Sequence, residues 1–169
     1  MEGLCELCPR RCGADRRKRA GSCGCGREIK VARAALHFWE EPCISGSRGS
    51  GTVFFSGCPL GCVYCQNYEI SRGHAGKEIS VERLAEIFLE LQKQGAHNIN
   101  LVTAAPYVPQ VISALKLTRP ALKIPVVYNS SGYERVETLR ALKGFVDVYL
   151  PDLKYMSSKL ARRYSGAAD

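Results

Sequence analysis

Cys58, Cys62 and Cys65 lie within eight residues, in the stretch GCPLGCVYCQN that runs from Gly57 to Asn67. Three thiols so close together suit a metal, but a closed structural site takes four ligands. Three cysteines on one loop can hold three corners of a cubane [4Fe–4S] cluster. The fourth iron is then open to a small molecule, whereas iron–sulfur electron carriers use four cysteines. Zinc is the competitor. A catalytic zinc also keeps an open position, though its ligand sets run to histidine and carboxylate. Pro59 and Gly61 make the stretch a loop rather than a packed strand, which argues against three buried thiols that bind nothing.

A second set stands at the N-terminus as Cys5-x2-Cys8-x3-Cys12-x10-Cys23, with Cys25 close behind. Four cysteines suit either a structural zinc or an auxiliary iron–sulfur cluster, and spacing alone leaves both open. Residues 1–27 contain too few apolar side chains to make their own core, so a metal is expected to order them. Cys43 is left over and reads as a buried thiol. His37, His74 and His97 show no ligand spacing.

The elements that would position these residues alternate. GTVFFSG reads as a strand that stops at a glycine, and the first cysteine of the triplet follows it. SVERLAEIFLELQKQG reads as a helix with Ser80 as its N-cap and Gly95 just past its end. HNINLVT is a second strand, VPQVISALKL a helix with Pro109 near its first turn, and IPVVYN a third strand. YERVETLRALKG is a helix, FVDVYL a fourth strand, and SSKLARRYSG opens another helix. Strands alternating with helices predict βαβ units and a parallel sheet, with chemistry at the C-terminal ends of the strands. The cysteine triplet, TAAPY, NSSGY and PDLKY follow the four strands in turn, so all four should share one rim.

The bulk numbers fit an ordinary domain: 169 residues, 46% hydrophobic and 24% charged. No run of 18 apolar residues appears, and the N-terminus lacks an apolar segment before any cleavage site, so a soluble cytoplasmic protein is expected. Nine cysteines in a reducing compartment point to metal rather than disulfides. The net charge is +8, and residues 1–33 hold nine basic residues against four acids, including Arg16 to Arg19. This reads as a basic shell that offsets thiolate charge rather than as a nucleic-acid arm. The competing reading is a zinc-stabilised module that binds nucleic acid or protein through that arm. Metal identity separates the two.

Cys58-x3-Cys62-x2-Cys65, with Tyr64 just before the last cysteine, resembles the signature of the radical S-adenosylmethionine (SAM) superfamily. EEPCISGSRGSGTVFFSGCPLGCVYCQNYEIS, GAHNINLVT, IPVVYNSSGY, VDVYLPDLKY and the N-terminal CELCPRRCG extend the likeness over the chain. Together they resemble uncharacterised iron–sulfur proteins related to pyruvate formate-lyase activating enzymes.

The resemblance implies an α/β fold, a partial (β/α)6 TIM-like barrel with about four βα units. It divides the chain into a Cys-rich extension over 1–27, a connecting segment over 28–50 and a core over 51–169. It implies that Cys58, Cys62 and Cys65 hold a [4Fe–4S] cluster. SAM on the open iron would be reductively cleaved to a 5′-deoxyadenosyl radical that abstracts hydrogen. Tyr64 would pack on the adenine. The superfamily's Gly-Gly-Glu segment is replaced here by Thr103-Ala104-Ala105-Pro106, which leaves Thr103 or backbone carbonyls to serve. Asn129, Ser130, Ser131, Asp152 and Lys154 fall where activating enzymes contact SAM and a nearby cation. The implied partners are SAM, a reducing donor such as flavodoxin or ferredoxin, and a protein substrate whose glycine is activated. A six-unit barrel needs two more βα units than the four strands read here, so a fragment of a longer protein is expected, with an unpaired edge on its last strand.

Overall fold

The computed structural model describes residues 4–73 and 75–167, so His74 lies outside the described residues. Its elements in chain order are β1 (Ile29–His37), α1 (Pro42–Ser45), β2 (Ser50–Phe55), α2 (Tyr68–Ser71), β3 (Lys77–Ile79), α3 (Val81–Lys93) and β4 (Ile99–Val102). A 3-10 turn (Ala105–Tyr107) leads into α4 (Val108–Thr118), then β5 (Val126–Ser130), α5 (Val136–Ala141), β6 (Val148–Pro151) and α6 (Ser158–Ser165).

Six strands form one sheet in the order β3-β1-β2-β4-β5-β6. The four expected strands are β2, β4, β5 and β6, and they run parallel. Their register aligns Phe54, Val102, Asn129 and Leu150 in one row across the sheet. The loops that follow therefore leave from the same edge.

The sheet is mixed rather than all parallel. β1 pairs antiparallel with β2 and with β3. The sequence of β1, IKVARAALH, has little β-branched or aromatic content, and β3 is three residues long. β1 is a strand because β2 supplies an edge to build on, and β3 because β1 supplies the next, which local propensity does not record. β6 stands at the far edge, paired with β5 alone among the described strands.

Alternation in the strands divides the sheet into two faces. Val53, Phe55, Ile99, Leu101, Val126 and Tyr128 lie on one face in a single apolar cluster. Leu84, Phe88 and Leu91 of α3 and Val108, Val111 and Ala114 of α4 pack onto them. The side chain of Ser80 caps α3, accepting from the Arg83 amide at 3.1 Å, and Gly95 beyond the helix adopts φ +92. The opposite face is polar, with Thr52 and Asn100 fully buried. Residues at and just past the end of β1 cover it: the Asn129 amide donates to Glu40 Oε2 at 3.2 Å, and the His37 ring meets Phe54 edge-on at 5.8 Å.

α5 begins at Val136, later than the apolar spacing predicts. Gly132 at φ +71 turns the chain, and Tyr133 is drawn into a second apolar cluster with Leu60, Ala161 and Ala167. That cluster forms the floor beneath the cysteine loop. Cys43 is exposed, contrary to the expectation of a buried thiol. It sits in the one-turn helix α1, where its neighbours Ile44 and Ser45 take the buried side.

Candidate metal and cofactor site

The loop after β2 carries Cys58, Cys62 and Cys65, all three free and partly buried. It is held from three directions. Leu60 and the partly buried Cys58 and Cys62 pack on Tyr133 and Ala161. The Gly61 and Val63 amides donate to the carbonyls of Ser165 and Tyr164 at 2.9 Å each, so the end of α6 acts as a clamp. Arg10 donates to the Pro59 carbonyl and, at 2.8 Å, to the Gly166 carbonyl, tying the N-terminal segment to both.

Hydroxyl groups meet the thiols. Ser165, fully buried, donates to Cys62 Sγ at 2.8 Å, and the Tyr155 hydroxyl lies 2.7 Å from Ser165 Oγ. Tyr64 donates to Tyr155 at 2.6 Å, so its phenol is fixed while its ring remains half-exposed. Ser71 Oγ lies 3.3 Å from Cys65 Sγ, and the Leu60 amide donates to Cys58 Sγ at 3.4 Å. Burial pushes the Cys58 thiol up to about 11; the Leu60 amide pulls against this, and the nearby charges of Cys62 and Cys65 add to it.

The three thiols are thus electrostatic neighbours. Yet among the described residues no three His, Cys, Asp or Glu side chains converge to hold a single ion. A soft all-thiolate donor set over an apolar floor, with hydroxyl donors to sulfur, fits an iron–sulfur cluster.

The other sequence-derived residues divide into those near the thiols and those farther along the rim. Lys154 pairs with Asp152 at 2.6 Å. Burial works to lower the Lys154 pKa, but the Asp152 bond and charge raise it overall, with help from Cys62 and Tyr64 nearby. Ser130 accepts from the Gly132 amide at 3.3 Å, and its carbonyl accepts from the Asp152 amide at 3.0 Å, which locks the loops after β5 and β6 together. Thr103 follows β4 at φ +58, a strained conformation for a β-branched residue, and its amide donates to the Asn129 carbonyl at 3.0 Å. Asn129 itself turns its side chain to Glu40. Ser131 is partly buried beside Ser130.

Residues 52–168 match the Radical SAM superfamily. The chain belongs to that superfamily. The radical SAM match begins inside β2 and takes in the cysteine loop and the parallel strands, and with membership come the [4Fe–4S] cluster and SAM as the cofactors the family uses. The chain is also 35% identical to Uncharacterized protein MJ0674 of Methanocaldococcus jannaschii over 169 residues. That alignment covers 95% of this chain and 48% of the relative, so the chain spans about half the length of the curated relative it matches. No described helix of this radical SAM chain is long and apolar enough to cross a membrane.

The arrangement adds residues that spacing did not reveal. Tyr155, Ser165 and Arg10 reach the loop from distant sequence, and nothing local marks them. Glu134 is the other addition. Its carboxylate accepts from Ser130 at 3.1 Å, and burial pushes its pKa up to about 7; the Ser130 bond opposes this and the Asp152 charge adds to it. A raised acid pKa means the fold favours the neutral form. Stability therefore falls as pH rises from the ordinary 4.5 towards 7 and stays lower above it. Glu134→Gln should raise stability at pH 8 by about 1–3 kcal/mol and change little at pH 4. Thermal melts of both proteins across that range would measure it, and equal melting at pH 8 would show Glu134 to be solvated.

The N-terminal thiols are brought together by backbone bonds and by Gly21. The Cys5 amide donates to the Ala14 carbonyl at 3.0 Å, and the Gly13 amide to the Cys5 carbonyl at 3.1 Å. Cys25 leaves this group: it is buried, with its thiol directed to the Ser56 carbonyl at 3.4 Å. The basic run does not form a free arm. Arg16 turns inward over the Tyr107 ring at 5.4 Å and donates to the Pro106 carbonyl, while Arg17 pairs with Asp15 at 3.1 Å.

Proposed function

We propose that this chain is the cofactor-binding part of a radical SAM oxidoreductase of the activating-enzyme type. The observation that carries it is the cysteine loop, which offers three thiols and no fourth at the rim of a parallel sheet. Cys58, Cys62 and Cys65 hold the [4Fe–4S] cluster through three of its irons. When bound, cluster and SAM supply one-electron cleavage of the sulfonium and a 5′-deoxyadenosyl radical for hydrogen abstraction.

The chain's own residues bind and orient the cofactor. Tyr64 presents a ring for the adenine, its phenol anchored on Tyr155. Thr103, Asn129, Ser130 and Ser131 offer polar contacts, and the Asp152–Lys154 pair sets charge beside Cys62. No carboxylate follows β4, but Glu134 brings one to this rim beside Ser130. The N-terminal thiols Cys5, Cys8, Cys12 and Cys23 take a second metal. Flavodoxin or ferredoxin suits the electron donor, in a reducing cytoplasm, and a glycine in a partner protein suits the substrate. The inward packing of Arg16 leaves little to favour the nucleic-acid module.

The test is electron paramagnetic resonance of anaerobically reconstituted, reduced protein with and without SAM. A [4Fe–4S]+ signal that changes shape on adding SAM is the expected result. A silent sample that carries stoichiometric zinc would overturn the reading.

A further inference from the structure

On the reading of Cys58, Cys62 and Cys65 as a cluster site, whose chemistry takes one electron from outside the chain, we infer where that electron enters. The outer face of α6, with the tip of the cysteine loop, is the docking surface for an acidic one-electron carrier protein.

Charge is the first ground. From Leu153 to Ala167 the chain holds Lys154, Lys159, Arg162 and Arg163 and no acid. Lys159, Arg162 and Arg163 are exposed, while Ala161 and Ser165 take the buried side of α6. Spacings of three and four place the three cations on one face of the helix. Helix stability accounts for only two of them. Arg162 and Arg163 stand in the last turn, where the helix dipole favours a cation. Lys159 stands in the first turn, where the dipole favours an acid, and no acid or side-chain cap is present there.

Position is the second ground. α6 ends on the cysteine loop: the Tyr164 and Ser165 carbonyls accept from the Val63 and Gly61 amides, and the Ser165 hydroxyl donates to Cys62 Sγ at 2.8 Å. The loop from Gly57 to Tyr68 carries no charged side chain, and Val63 is 74% exposed. Leu160 and Tyr164, four residues apart on α6, add exposed apolar surface. The Arg163 guanidinium lies over the Tyr164 ring at 5.2 Å, so cation and apolar patch adjoin.

An apolar centre with a charged rim suits a protein interface, and opposite charge steers the partner to it. Electron-transfer encounters need only a small area of this kind. A nucleic acid would call for cations across the whole surface, and the loop offers none. Of the acids flanking the surface, Asp152 is paired with Lys154 at 2.6 Å, and Glu69 lies on α2 past the far end of the loop. The docked carrier loses one electron and the cluster gains it; no bond forms or breaks.

The test is calorimetric binding of flavodoxin to the reconstituted chain at low and at physiological salt. Expected is binding that weakens as salt rises, and that falls about tenfold or more when Lys159→Glu, Arg162→Glu and Arg163→Glu are combined. Dithionite needs no docking surface and should reduce this variant as fully as the unaltered chain. Should the triple variant fail to fold, Lys159→Glu alone decides, because an acid suits the first turn of a helix. Its melting temperature should hold or rise while binding weakens roughly threefold. Equal affinity in Lys159→Glu, no binding of flavodoxin at low salt, or tighter binding of duplex DNA than of flavodoxin overturns the proposal. A failed cluster reading looks different: dithionite then yields no [4Fe–4S]+ resonance that responds to SAM, whatever flavodoxin does.

Discussion

Gly57→Ala should destabilise the protein by about 4 kcal/mol and lower its melting temperature by on the order of 10 °C. Two costs combine. Gly57 adopts φ +84, where a Cβ is strained, and that Cβ would lie 2.2 Å from Cys25 Sγ and 2.9 Å from the Cys23 carbonyl oxygen. Cys25 is buried, so its sulfur has nowhere to move. Gly95 separates the two costs, because it has φ +92 and nothing within 4 Å of its built Cβ. Gly95→Ala should therefore show the conformational part alone, about 1 kcal/mol. Adding Cys25→Ala to Gly57→Ala should recover much of the difference, which a double-mutant cycle of thermal melts would measure. Equal effects at Gly57 and Gly95 would mean that the N-terminal segment does not pack on the cysteine loop.

Cys58→Ala should bring SAM cleavage to background while leaving a folded protein. Cys58 occupies the buried end of the loop, and as a proposed cluster ligand it would have to bind as the thiolate. A thiol pushed up to about 11 gives up its proton reluctantly, so loading of the unaltered apoprotein should quicken as pH rises from 7 towards 9. The alanine variant removes one small side chain from a floor still filled by Leu60, Tyr133 and Ala161. Its melting temperature should move by only a few degrees. Absorption, iron content and SAM cleavage measured together check this. Full cluster loading in the variant would remove Cys58 from the site.

Both expectations treat the N-terminal segment and the cysteine loop as one structure. Arg10 bonds the loop at Pro59 and the end of α6 at Gly166, while the last residues of α6 hold Gly61 and Val63. Residues more than 150 positions apart thus meet at the same few loop atoms. The radical SAM match begins at residue 52, yet the loop inside it is completed by residues before that point.

The spacing of Cys58, Cys62 and Cys65 and the alternation of strands and helices were legible without coordinates, because each is local. Three thiols in eight residues must share a loop, and period-2 and period-3.6 patterns report which face of an element is buried. The parallel strands and the common rim follow from them. The antiparallel strands β1 and β3 were not legible, because their stability comes from an edge that another strand supplies. Cys43 and Cys25 look alike in sequence, and tertiary packing alone exposes one and buries the other under Gly57. The same holds for the loop's partners. Arg10, Tyr155 and Ser165 carry no spacing signal, and hydrogen bonds across the folded chain gave them their places. Sequence determined which groups could do chemistry; the long-range contacts of the fold decided which of them stand together.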